Sequence, residues 1–237
     1  MKTERKSALI AGIALIIMAV VAGFIYGYIH HTLIVEGDSE NTFRSIKSDA
    51  LLFQTEIFGW FLILILDVIV AWALYVFFRN ENKKLSLLTA ALRIVFVFIF
   101  GAAIYSLIDI LKIIGESVDE IQMAGEQIMK SVESFETIWS FALIIFGFHL
   151  LLMGILVLQS KNIHIVWGLL LVFAAISYIV IHSAKFLLPD YQSQIATAEM
   201  ILSLPMAFGE VGFAFWLIVR GGKQRIVYRQ TKAVAKG

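Results

Sequence analysis

The chain has 237 residues, 60% of them hydrophobic and 16% charged, with a mean hydropathy of +0.87 and a net charge of +1. A soluble domain of this size carries fewer apolar and more charged residues, so the composition excludes an ordinary soluble globule. There is no cysteine, which removes disulfides, thiolate metal sites and cysteine nucleophiles.

The apolar excess is gathered into runs of about 20 or more residues, long enough to cross roughly 30 Å of hydrocarbon at 1.5 Å per residue. Lys2, Arg5 and Lys6 precede the first run, Ala8 to about Ile29, which is too long for the core of a cleaved signal peptide. Within it Ala19, Gly23 and Gly27 form a small-residue stripe suited to close helix packing. Thr32 to Asp49 reads as a polar connection. Gly37-Asp38 is its turn, and Ser39 or Asn41 the expected cap of a short helix. The second span runs from about Leu51 to Phe78, and the third, after a short turn, from about Leu85 to Ile114. Between Glu116 and Glu136, Val118, Ile121, Ile128, Val132 and Phe135 recur at helical spacing among acidic residues. The pattern predicts an amphipathic helix that lies on the membrane or extends a span. Spans four, five and six come next, at about Thr137 to Leu158, Ile163 to Leu188 and Ala198 to Val219.

The expected fold is therefore an all-α bundle of six transmembrane helices: one membrane domain over residues 1–222 and a basic tail over 223–237. Six spans put both termini on one side. The terminal segments and the turns at Arg79–Lys84 and Lys161 hold about 13 of the 19 Lys and Arg residues, which predicts that this side is cytoplasmic. The acidic helix between spans three and four is then external. Trp60 and Trp139 fall toward the outer interface, and Trp72, Trp167 and Trp216 toward the inner half.

Four spans are interrupted where polarity is expensive: by Asp67, Arg93, His149 and Glu210. A charge near the bilayer centre costs about 2.5–3.5 kcal/mol on the insertion scale. Counted from the cytoplasmic ends, all four fall roughly 13–18 Å deep, in one layer near the midplane. A second, outer layer comprises Glu56, Asp109, Glu199 and the stripe Tyr178, His182, Lys185. Glu56 precedes Asp67 by three helical turns, as Glu199 precedes Glu210, so each pair shares a helix face. Pro205 has no N–H and is expected to kink span six beside Glu210.

Three readings of these residues stay open. Arg93 with Asp67 or Glu210 can be a salt bridge that sets packing, as in a structural or stress-response accessory protein. Glu210, Asp67 and His149 can form a proton or small-solute pathway, or a sensor, with Arg93 tuning them. Or His149, Asp67 and Glu210 can serve a membrane-embedded enzyme acting on a lipid or peptide, as catalytic groups or metal ligands, although no H-E-x-x-H spacing is present. No resident cofactor is implied. The partners expected are the lipid bilayer and a small ion or solute, not nucleic acid.

Several segments in order resemble a known family. They are Leu33-Ile34-Val35-Glu36-Gly37-Asp38, Leu66-Asp67-Val68, Ala73-Leu74-Tyr75, Phe78-Arg79-Asn80, Leu85-Ser86-Leu87-Leu88 and Leu92-Arg93. Gly147-Phe148-His149, Gly154, Leu187-Leu188-Pro189, Gly209-Glu210, Phe215-Trp216-Leu217 and Gly221 complete the set. The set is similar to the domain-of-unknown-function 4386 family, small bacterial polytopic membrane proteins, over about Lys6 to Gly222. That resemblance implies about six transmembrane helices in a bacterial inner membrane, with no established activity. Its motif positions include Asp67, Arg93, His149 and Glu210. Glu36, Gln54 and the region of His164 depart from its usual proline, arginine and proline.

Overall fold

The computed structural model describes residues 3–115 and 120–223. Glu116 and Val118 of the acidic stretch lie outside them, as do Lys2 and the tail's Arg225, Arg229, Lys232 and Lys236. Among the described residues there is no strand, and six helices are long and apolar enough to cross a membrane. Helix α1 covers Thr3–Leu33 and includes a π-helical stretch, Ile25–His30. A short α2, Ser39–Ser48, succeeds it. Then come α3 (Ala50–Phe78), α4 (Lys83–Gly115), α5 (Ile121–Gln159), α6 (Ile165–Leu187) and α7 (Gln192–Val219). The shortest of the long helices, α6, has 23 residues and so reaches about 34 Å.

The helix starts are set by side chains that accept hydrogen bonds from otherwise orphaned backbone N–H groups. Asp38 caps α2 by accepting from Asn41 N, in place of the expected Ser39 or Asn41. The carboxylate reaches the third N–H onward, while Ser39 is already helical. Asp49 and Asn82 accept from Leu52 and Leu85 at the starts of α3 and α4. The acidic amphipathic stretch does not form a helix of its own. Residues 121–136 are the opening of the 39-residue α5, because no glycine or proline separates Glu136 from Thr137. Pro205 lies inside the continuous α7.

Side-chain polarity is arranged as a bilayer requires. Leu204 exposes 78% of its surface and Phe98 75%, whereas Arg93 exposes 2% and Asp67 1%. Large apolar groups on the outside and ionisable groups on the inside reverse the usual order of a water-soluble protein.

The chain folds into two compact units. The first comprises residues 1–17, 66–96 and 143–237, and the second residues 18–65 and 97–142. In the first, close approach is made at glycines. A Cβ at Gly12 would sit 2.7 Å from the Ile218 side chain and 2.8 Å from the Ala214 carbonyl oxygen. Gly154 and Gly168 each face the other's carbonyl oxygen across α5 and α6, 3.1 and 3.2 Å from where a Cβ would be. The Arg5 guanidinium caps the end of α7, donating to the carbonyls of Leu217, Ile218 and Gly221. These carbonyls lack intrahelical partners, and a cation suits a helix C-terminus.

In the second unit Gly59 packs on Ile25, and Gly125 abuts the Ser39 backbone carbonyl where α2 begins. The stripe of Ala19, Gly23 and Gly27 is not a packing face. All three are exposed, and nothing lies within 4 Å of a Cβ built on either glycine. Spacing alone does not say which face of a helix meets a neighbour.

Gly12→Ala should destabilise the protein by about 1–3 kcal/mol, because a backbone oxygen stands where the methyl must go. Gly23→Ala, with open space, should leave stability unchanged or slightly raised. Thermal unfolding of the two variants in detergent checks the contrast.

Candidate polar site in the first unit

Each half of the central pair comes from an apolar helix that has no local partner for it. Asp67 lies on α3 and Arg93 on α4. The guanidinium is planar with donors on three nitrogens, and each nitrogen has a destination. Nε donates to Asp67 Oδ1 at 2.7 Å, and Nη2 reaches the same oxygen at 2.6 Å. Nη1 lies 3.1 Å from His149 Nε2. The arginine Cζ sits 5.4 Å from the centroid of the Phe146 ring, a cation–π contact from the helix that also carries His149.

His149 is fixed at both ends. Its Nδ1 is 2.8 Å from the Thr89 carbonyl oxygen, which only accepts. Nδ1 therefore carries the proton, and Nε2 is the acceptor for Arg93. The imidazole is neutral in this arrangement, with no lone pair left over. Thr89 is on α4 one turn before Arg93, so the network closes between α4 and α5 while Asp67 ties in α3. Asp67 Oδ2 is buried and has no hydrogen-bond partner.

Glu210 enters from α7. Arg93 acts on its carboxylate electrostatically, and the Tyr178 hydroxyl of α6 donates to it. The arginine's three directed contacts go to Asp67 and His149, so Glu210 meets the cation's field and takes its hydrogen bond from tyrosine. Aromatic rings run through the same region. Phe146 stacks on His149 at 5.6 Å and meets Tyr178 edge-on at 5.5 Å, and Tyr178 stacks on His182 at 5.9 Å. Seven residues beyond Tyr178 on α6, Lys185 pairs with Glu199 of α7 at 2.8 Å. The Tyr178, His182, Lys185 stripe is thus one face of α6 turned toward α7.

The other expected members of the outer layer lie elsewhere. Asp109 pairs with Lys112 one turn along its own helix, at an exposed position. Glu56 belongs to the second unit, where it meets His30 at 2.7 Å. Sequence reasoning did not identify Phe146 or the Thr89 carbonyl as parts of the network. An aromatic one turn before a midspan histidine was the available signal for the first. A backbone acceptor leaves no signal.

Chemically, the frame offers one guanidinium against two carboxylates, with a neutral histidine between. It suits a group that gains and loses a proton beside fixed neighbours. It suits a metal ion poorly: both His149 nitrogens are engaged, and no group of three His, Asp or Glu among the described residues is arranged to hold one.

His149→Phe keeps the ring volume but leaves a buried Arg93 N–H and the Thr89 carbonyl unpaired. It should lower stability by about 1–3 kcal/mol, read from the unfolding midpoint in detergent.

The family model described as Domain of unknown function (DUF4386) matches residues 10–221. An uncharacterized protein of Archaeoglobus fulgidus is 34% identical over 167 residues, 70% of this chain and 84% of its own length. No solved structure matches.

Proposed function

The chain belongs to the DUF4386 family, and we propose that it is a non-enzymatic integral membrane protein in which Glu210 takes up and releases a proton. In this reading Arg93, Asp67 and His149 are its fixed surroundings, and the proton step is coupled to transport or sensing of a small solute. The observation that carries the reading is the division of labour around Arg93. Asp67 takes two of its contacts and His149 the third. Asp67 and Arg93 offset each other's charge, so a proton on Glu210 is what changes the charge of the site. Tyr178, whose hydroxyl can donate or accept, faces that carboxylate. Ionisable groups inside a membrane bundle commonly serve as such relays.

The asymmetry of Lys and Arg places both termini in the cytoplasm of a bacterial cell, with the protein in its inner membrane. The basic tail then adjoins anionic lipid headgroups. A second reading is supported by the saturation of His149. With both ring nitrogens used in fixing helices, the network serves packing alone, and the protein is a structural or accessory component. A catalytic or metal-binding His149 would first have to give up one of its two bonds.

Purified protein in vesicles loaded with a pH-sensitive dye distinguishes the readings. An imposed potential should drive proton flux, Glu210→Gln should reduce it to the rate of empty vesicles, and Tyr178→Phe should fall between. Flux equal in wild type and Glu210→Gln would contradict the proposal and leave the packing reading.

A further inference from the structure

The second unit contains a buried acid–base pair that the first-unit site does not use. His30 and Glu56 expose 2% and 0% of their surfaces, and His30 Nδ1 lies 2.7 Å from Glu56 Oε1. The Trp60 indole N–H donates to the same oxygen at 3.3 Å. Two buried polar atoms remain without hydrogen bonds, His30 Nε2 and Glu56 Oε2. A pair that served only to hold α1 against α3 would gain by satisfying both, since an unmade buried hydrogen bond costs about 1–3 kcal/mol.

His30 Nε2 points at a second carboxylate. Glu136 Oε1, on α5, is 3.8 Å away, and its side chain is half exposed. That separation exceeds a hydrogen bond, but a small rotation of an exposed glutamate closes it. Carboxylate, imidazole and carboxylate thus stand in series, the first sealed and the last reaching the surface. The other titratable neighbours are on α1: Tyr26, stacked on His30 at 5.1 Å, and His31, edge-on at 6.2 Å and exposed. The remaining walls do not ionise. They are Trp60 of α3, Phe100 of α4, and Phe135 and Trp139 of α5, whose rings lie 5.2–6.4 Å from one another.

The backbone supports the same conclusion. His30 ends the π-helical stretch Ile25–His30. A π turn inserts a residue and rotates the next residues out of α-helical register, and such turns recur at functional sites. Here the rotation leaves His30 buried and His31 exposed.

We propose that His30, Glu56 and Glu136 form a proton-exchange site in which the His30 imidazole carries protons between the sealed Glu56 carboxylate and the half-exposed Glu136. On uptake, Glu136 takes a proton from water and gives it to Nε2, and the imidazolium then passes its Nδ1 proton to Glu56 Oε1. The products are a neutral imidazole protonated on Nε2 and a protonated Glu56. Release is the reverse, and one proton crosses the imidazole in each direction with no other reactant. The proposal rests on the second unit alone and is independent of the Glu210 reading.

The test uses the full chain in detergent, with nitrogen-15 in its histidines. His30 is identified as the ring whose signals Glu136→Gln perturbs, so no His30 variant has to fold. Its ring nitrogens should change protonation state with solvent pH. After a pH jump followed by emission of Trp60 and Trp139, Glu136→Gln should slow the response by about tenfold or more, and Glu136→Asp by less. A His30 ring that keeps one protonation state between about pH 4 and 9 overturns the proposal. So does a Glu136→Gln variant that responds as fast as wild type, which is the behaviour of a purely structural ion pair.

Discussion

A buried guanidinium must be satisfied on every side, and that constraint organises the first unit. Arg93 cannot shed its charge at any ordinary pH. In hydrocarbon it has no water to turn to. Its contacts with Asp67, His149 and the Phe146 ring therefore specify more than they stabilise. They set the facing residues of α3, α4 and α5, and through the Thr89 carbonyl they also set the tautomer of His149. Buried ion pairs are weak evidence for stability and better evidence for a defined arrangement. A lipid-facing surface of leucine, isoleucine and phenylalanine could slide past a neighbour at little cost. A guanidinium with three assigned directions could not.

Each unit has its own titratable group beside such a constraint. In the first, the Tyr178 hydroxyl and the Glu210 carboxylate meet within reach of the Arg93 charge. In the second, Trp60 and Glu56 hold one side of His30 while Glu136 stands at the other. In both, a rigid polar or aromatic frame surrounds a group able to exchange a proton. The frames differ in kind. The first is built on a permanent charge, the second on aromatic packing around a carboxylate.

The helices were legible in the sequence because hydropathy is a sum over twenty or more residues, and such sums tolerate local error. Asp67, Arg93, His149 and Glu210 stood out for the same reason, since each breaks a long apolar run. Which atoms meet was not legible. Depth can be counted at 1.5 Å per residue, but rotation about a helix axis cannot. Asp109 illustrates this: it looked like part of a shared layer, yet it pairs with Lys112 on its own helix. So does the stripe of Ala19, Gly23 and Gly27, which is exposed while Gly12 makes the close approach. His30 was hidden by two effects. It lies near the end of a span, where polar residues are ordinary. The π turn before it breaks the 3.6-residue register from which a face would be inferred. The acidic stretch carried a correct helical period but no mark of where its helix stopped, and it proved to be the opening of α5.

Asp67 and Arg93 act as one unit, and every other contact of the first-unit site depends on that pairing. A double-mutant cycle measures it directly, using Asp67→Ala, Arg93→Ala and the pair, with unfolding free energies taken in detergent. Each single variant leaves a buried group uncompensated and should lose about 3–5 kcal/mol, while the double variant should lose clearly less than their sum. Losses that simply add would show that the two residues are independent, and the arginine-centred frame would have to be abandoned.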